Sequence, residues 1–195
     1  MISMSSAGFA GVTRIMVFID GQYVMQRVKE IYTDTELDFG VLVDRLRRDA
    51  MYGALIPQLI RAYYYDAEPE PNDIERIQNQ NIFLDKIAAL DYFEVRSGRT
   101  KKTGRGHLRQ KGVDTLVAID MLSKAYENHY DVAILVSGDD DFLDLVRAVK
   151  DAGKQVFGAF SEKHVSDDLK FSFDRRFDLE KIIVAIRSKR PVPVA

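Results

Sequence analysis

Two stretches of the chain are apolar after a charged first residue yet too short for helices: residues 14–19 (Arg-Ile-Met-Val-Phe-Ile) and residues 131–136 (Asp-Val-Ala-Ile-Leu-Val). A strand with apolar side chains at successive positions is buried on both faces, which requires helices on both sides of a sheet. The segments between fit that demand. Residues 22–31 and 39–51 carry apolar residues at helical spacing (Leu42, Leu46, Ala50), the second with Asp38 placed as its cap. Residues 59–65 read as a second strand, and a breaker-rich turn at 66–71 leads into a long amphipathic helix over 73–89. A short strand at 93–96 precedes a glycine-punctuated polar loop at 97–110, and residues 113–127 form a helix with Val113, Leu116, Val117, Met121 and Ala125 on its apolar side. Residues 142–152 read as a helix stopped by Gly153, and 155–160 as a fifth strand. Residues 165–179 match no single period, and 180–186 suit a helix or a strand equally. Strands alternating with helices predict an α/β domain with a mainly parallel central sheet of about five strands. One domain over residues 14–186 is expected, with a flexible N-terminal segment (1–13) and a flexible tail (187–195) containing Pro191 and Pro193.

Composition narrows the chemistry. The chain has no cysteine, which excludes disulfides, thiolate zinc sites and a cysteine nucleophile, and fits a reducing cytoplasm. No segment approaches the roughly 20 apolar residues of a membrane span, and the first 13 residues lack the basic and apolar parts of an export signal, so a cytoplasmic protein without a membrane partner is expected.

Two predicted strands end in aspartate. Asp20-Gly21 follows residues 15–19 directly, and Asp139-Asp140-Asp141 follows residues 133–136 after Ser137-Gly138. In a parallel sheet those ends share one edge, where ligands bind. A helix cap needs one acid; three in a row repel one another unless a cation neutralises them. Asp114 opens the helix at 113–127 and joins Asp20, Asp139 and Asp141 as a candidate ligand, while Asp140 suffices as a cap. Asp120, among Val117, Ala118, Ile119, Met121 and Leu122, either joins the metal network as a fifth acid or bonds a neighbouring strand end. Oxygen ligands without cysteine or clustered histidine select hard cations, Mg²⁺ or Mn²⁺, whose characteristic chemistry is phosphoryl transfer.

The balance of 28 basic against 30 acidic residues hides a local asymmetry. Between Arg96 and Lys111 there are seven Lys or Arg and no acid, and Arg99, Lys101, Lys102, Arg105, Arg109 and Lys111 are the candidate contacts to a nucleic-acid backbone. The run ends next to Asp114, so a basic arm adjoins the acidic group. Tyr63, Tyr64 and Tyr65 close the second strand, where one could stack a base, although packing against helices is the plainer expectation for them. His107 is a possible phosphate contact; His129 and His164 have no triad or zinc-site context.

Phe18-Ile19-Asp20-Gly21, Lys111-Gly112-Val113-Asp114 and residues 135–142 (Leu-Val-Ser-Gly-Asp-Asp-Asp-Phe), in that order, resemble the NYN domain family of PIN-like nucleases, in particular its bacterial LabA/DUF88 branch. The resemblance spans residues 14–160 and implies a PIN-like three-layer sandwich. It also implies metal-dependent cleavage of RNA and makes a homodimer plausible, while single-stranded DNA is left open as a second partner. By the same resemblance Asp20, Asp114, Asp139 and Asp141 are the metal-binding and catalytic acids, Ser137 is a turn residue beside them, and Asp120 falls where relatives are often acidic. One departure stands out. The family commonly has asparagine three residues after the first aspartate, where this chain has Tyr23. Other acid-based folds fit less well: a haloacid-dehalogenase-type site needs a second aspartate where Phe18 or Gln22 stands, a Toprim-type site needs glutamate where Asp20 stands, and no P-loop occurs. The alternative of a different class is a catalytically weak NYN-like module that binds RNA or regulates.

Overall fold

The structure, a computed structural model, describes residues 11–32, 36–51, 56–67, 74–98, 100–102, 108–110 and 112–188. Strands β1 (Val12–Asp20), β2 (Ile56–Ala67), β3 (Phe93–Gly98), β6 (Val132–Val136), β7 (Gln155–Phe160) and β8 (Arg175–Asp178) form one sheet in the order β3-β2-β1-β6-β7-β8. Every pairing in it is parallel. The chain works outward from β1 in one direction and from β6 in the other, so the crevice where such sheets bind ligands opens between the ends of these two strands.

The alternation along β1 shows why both faces are covered. Ile15, Val17 and Ile19 pack with α1 (Gly21–Ile31), α2 (Phe39–Asp49), α7 (Leu179–Arg187) and Ile87 of α3 (Ile74–Ala88). Met16 and Phe18 point the other way, against α4 (Val113–Tyr126), α5 (Leu143–Asp151) and α6 (Asp167–Ser172). Asp20, next in the alternation after Phe18, caps α1 by accepting a bond from the Tyr23 amide. Asp38 caps α2 as its position predicts, and Gly153 takes the left-handed conformation (φ 79°) that ends α5.

The structure sharpens the sequence reading in three places. The sheet has six strands rather than about five, because the unassigned stretch before residue 180 holds both α6 and β8; the segment from residue 180 is helical, within α7. β8 is only four residues long and carries Arg-Arg-Phe-Asp, so its composition hides it, and Arg175 fastens it to the sheet's far layer by donating to the carbonyls of Asp49 and Ala50 at the end of α2. The expected loop at 97–110 contains an antiparallel pair, β4 (Thr100–Lys102) and β5 (Leu108–Gln110), with Lys101 opposite Arg109. Lysine-rich segments have weak strand propensity, so the pairing is a backbone effect that composition does not mark. Tyr63, Tyr64 and Tyr65 are all buried, which removes them as base-stacking platforms.

Close packing at the end of β1 requires a glycine. A Cβ on Gly21 would lie 2.4 Å from the Tyr64 hydroxyl and 2.6 Å from the backbone oxygen of Tyr65, and the latter cannot swing away. Gly21→Ala is therefore expected to destabilise the protein by about 3 kcal/mol, measured by urea unfolding. A loss under half that size would show that the β1–β2 junction is looser than its packing implies.

Candidate acidic site

The site is built from two strand ends and one helix start. Asp20 closes β1 and is buried, at 9% exposure. One carboxylate oxygen accepts from the Tyr23 amide at 3.0 Å and the other from the Ser137 hydroxyl at 3.1 Å. Ser137, fully buried just beyond β6, also accepts from the Asp139 amide at 3.2 Å. Asp139 in turn caps the short 3₁₀ turn Asp140–Phe142 by accepting from the Asp141 amide at 3.1 Å. One serine thus couples the two strand ends across the switch point. Asp114 stands in the first turn of α4.

Charge couples Asp20 to Asp114 and Asp139, and Asp114 to Asp139 and Asp141. Burial pushes the Asp20 carboxyl up to about 6 from its ordinary 3.8, against the pull of the Tyr23 and Ser137 bonds, and the charges on Asp114 and Asp139 add to the rise. Partial burial raises the Asp114 carboxyl, and Asp139 and Asp141 push it the same way. Asp114, Asp139 and Asp141 are exposed, so solvent screens their mutual repulsion. Among the described residues, no lysine or arginine is ion-paired with any of the four. Equally, among the described residues no three acidic or histidine side chains are gathered closely enough to hold one ion as they stand. The arrangement is one buried carboxylate ringed loosely by three exposed ones. Its all-oxygen, uncompensated donor set fits a hard divalent cation.

The other candidates separate cleanly. Asp140 accepts from the Ser166 hydroxyl at the start of α6, a structural partner; the cap expected of Asp140 is instead Asp139, whose side chain takes the Asp141 amide. Asp120 turns to neighbouring strand ends. It accepts from the Tyr65 hydroxyl of β2 at 3.0 Å, binds Lys124 at 2.8 Å, and faces Arg96 of β3 in an ion pair at 3.4 Å that is too poorly aimed to count as a hydrogen bond. Two cations already balance it. Of the basic candidates, Lys101, Lys102 and Arg109 lie on β4 and β5, whereas Arg99, Arg105 and Lys111, like His107, lie outside the described residues. Sequence reasoning missed the part played by residues 161–166, which fold against the Ser137-Gly138 turn. The signal available was their position immediately after β7, on the same edge as the aspartates.

The sequence model of the NYN domain matches residues 14–192. The chain belongs to the NYN domain family. This is a family of PIN-like nucleases that generally use divalent metals. A solved structure of the same fold is a protein of unknown function from Vibrio parahaemolyticus, 21% identical, with a TM-score of 0.65 over 92% of this chain and 99% of that one. No curated protein matches. Among the described residues no helix of this NYN protein is long and apolar enough to cross a membrane.

The raised Asp20 carboxyl has a stability consequence. The native state holds a proton that the unfolded chain has lost between pH 4 and 6, so without metal the stability falls as pH rises through that window. Asp20→Asn keeps an acceptor for the Tyr23 amide without the buried charge, and is expected to be more stable than wild type at pH 7.5 in EDTA by up to about 3 kcal/mol. The gain should shrink toward pH 4. A wild type more stable than the variant across the whole range would show that Asp20 carries no such burden.

Proposed function

We propose that the protein is a metal-dependent endoribonuclease that hydrolyses phosphodiester bonds of single-stranded RNA in the cytoplasm, with Asp20, Asp114, Asp139 and Asp141 holding Mg²⁺ or Mn²⁺. The observation that carries this reading is the convergence of four aspartates on one sheet edge, one of them buried and none paired with a cation among the described residues. Family membership supports the nuclease part.

Each residue then has a defined task. Asp20 is the fixed member, both oxygens oriented by Ser137 and Tyr23. Asp114 and Asp141 lie at the surface and can turn toward a shared cation, and Asp139, also exposed, keeps one oxygen on the Asp141 amide. When bound, the metal ion would lower the pKa of a water and offset charge on the scissile phosphate. Phosphate contacts fall to the basic segment, with Lys101 and Arg109 in register across the β4–β5 pair and Arg99, Lys102, Arg105 and Lys111 completing the set. Asp120 stays outside the ligand set because Lys124 and Arg96 already compensate it.

The loose spacing of the acids and the Tyr23 substitution favour one rival, an RNA-binding module with little activity. Labelled RNA incubated with and without EDTA separates the two. The nuclease reading expects Mn²⁺-dependent product that disappears in Asp114→Asn and Asp139→Asn while the surface control Asp144→Asn cleaves normally; unchanged cleavage by the first two contradicts it, and RNA retained without product supports the rival. For the basic segment, Lys101→Ala/Lys102→Ala/Arg105→Ala is expected to reduce the slope of log affinity against log salt by about 2 to 3. An unaltered slope would remove the segment from the interface.

A further inference from the structure

Tyr23, the residue that departs from the family pattern, is engaged on both its backbone and its side chain. Its amide holds Asp20, as above. Its hydroxyl reaches the turn that follows β7, accepting from the Ser161 amide at 3.0 Å and donating to the His164 carbonyl at 3.2 Å. That turn is already closed by the His164 amide on the Ser161 carbonyl at 3.0 Å, so one phenol clasps both ends of it. Ser161 is fully buried, and its own hydroxyl donates to Glu180 at 2.5 Å.

The clasped turn presses on the acidic site at Gly138. A Cβ there would lie 2.2 Å from the His164 carbonyl oxygen and 2.5 Å from the Tyr23 hydroxyl, so the glycine is covered by both. Gly138 joins Ser137, which holds Asp20, to Asp139, whose amide returns to Ser137. Farther along, Ser166 bonds Asp140. The segment 161–166 is therefore a strap tied at one end by Tyr23 and at the other by Asp140, lying across the turn that carries the ligands.

We propose that Tyr23 is a positioning residue of the acidic site: its hydroxyl bolts the 161–164 turn over Gly138, and so fixes the Ser137–Asp139 geometry that presents Asp20 and Asp139 to a divalent cation. This rests on the metal-site reading above. The Tyr23 side chain is spent on the strap rather than on substrate. Its loss therefore disturbs metal binding and turnover while leaving RNA affinity alone.

Tyr23→Phe removes the hydroxyl and keeps the ring. Three readouts on the full chain separate positioning from plain stability. Without metal, amide hydrogen exchange is expected to rise at Ser161, which loses its partner, and also at Asp139, which does not touch Tyr23. By calorimetric titration with Mn²⁺, the dissociation constant should rise at least about tenfold. In RNA cleavage, kcat should fall by a similar factor with KM held within about twofold. Ile183→Ala, in the core of α7, serves as a control that lowers Tm without touching the strap. If Tyr23→Phe lowers Tm as the control does but leaves Asp139 exchange and Mn²⁺ affinity at wild-type values, the proposal is overturned. A wild type that binds no Mn²⁺ overturns it together with the metal-site reading. A wild type that binds Mn²⁺ but cuts no RNA removes the nuclease reading alone, and the exchange and affinity comparisons then decide the role of Tyr23.

Discussion

The Asp20 carboxylate sits buried at the point where β1 gives way to α1, with the end of β6 beside it, and much of the site geometry follows from keeping it there. A charge in that position is costly, and the protein meets the cost only in part, with one backbone amide and one serine hydroxyl. Both donors belong to neighbouring turns, so holding Asp20 also fixes the first turn of α1 and the Ser137-Gly138 turn after β6. Adding Asp114, Asp139 and Asp141 nearby makes the local charge worse rather than better. A domain that needed only to fold would have no use for this arrangement. On the proposed reading, a divalent cation would turn the repulsion into binding energy.

The parallel sheet makes that cluster possible. Because all six strands run the same way, the ends of β1, β6 and β7 reach one edge, and α4 begins there as well. Residues far apart in the chain become neighbours, as Tyr23 with Ser161 and Asp20 with Ser137. The two cores, one on each face, hold the strand ends in register, so the site inherits the rigidity of the sheet while three of its four acids stay at the surface.

Much of this was legible in the sequence, and the parts that were not share a cause. β1 and β6 announced themselves because a strand buried on both faces must be apolar at every position, and an aspartate directly after such a run is conspicuous. Asp140 was set apart because a cap needs one acid, but the cap is Asp139, and Asp140 bonds Ser166 instead. β8 and the β4–β5 pair were hidden because they are short, charged strands with no apolar run to mark them. Asp120 was left open between two roles, and Tyr65 of β2 and Arg96 of β3, with Lys124 one turn along α4 itself, resolve its surroundings. Tyr23 looked like a lost asparagine; its bonds run to backbone atoms across 138 and 141 positions of chain, and no pattern of side chains encodes such a contact.

The central claim is that the four aspartates hold a divalent cation. Anomalous diffraction from crystals soaked in Mn²⁺ tests it most directly. The account predicts a manganese peak within coordinating distance of Asp20 and at least two of Asp114, Asp139 and Asp141, with the exposed side chains turned inward. Manganese bound at Asp120 instead, or an acidic edge that stays empty while other surface sites fill, would contradict it.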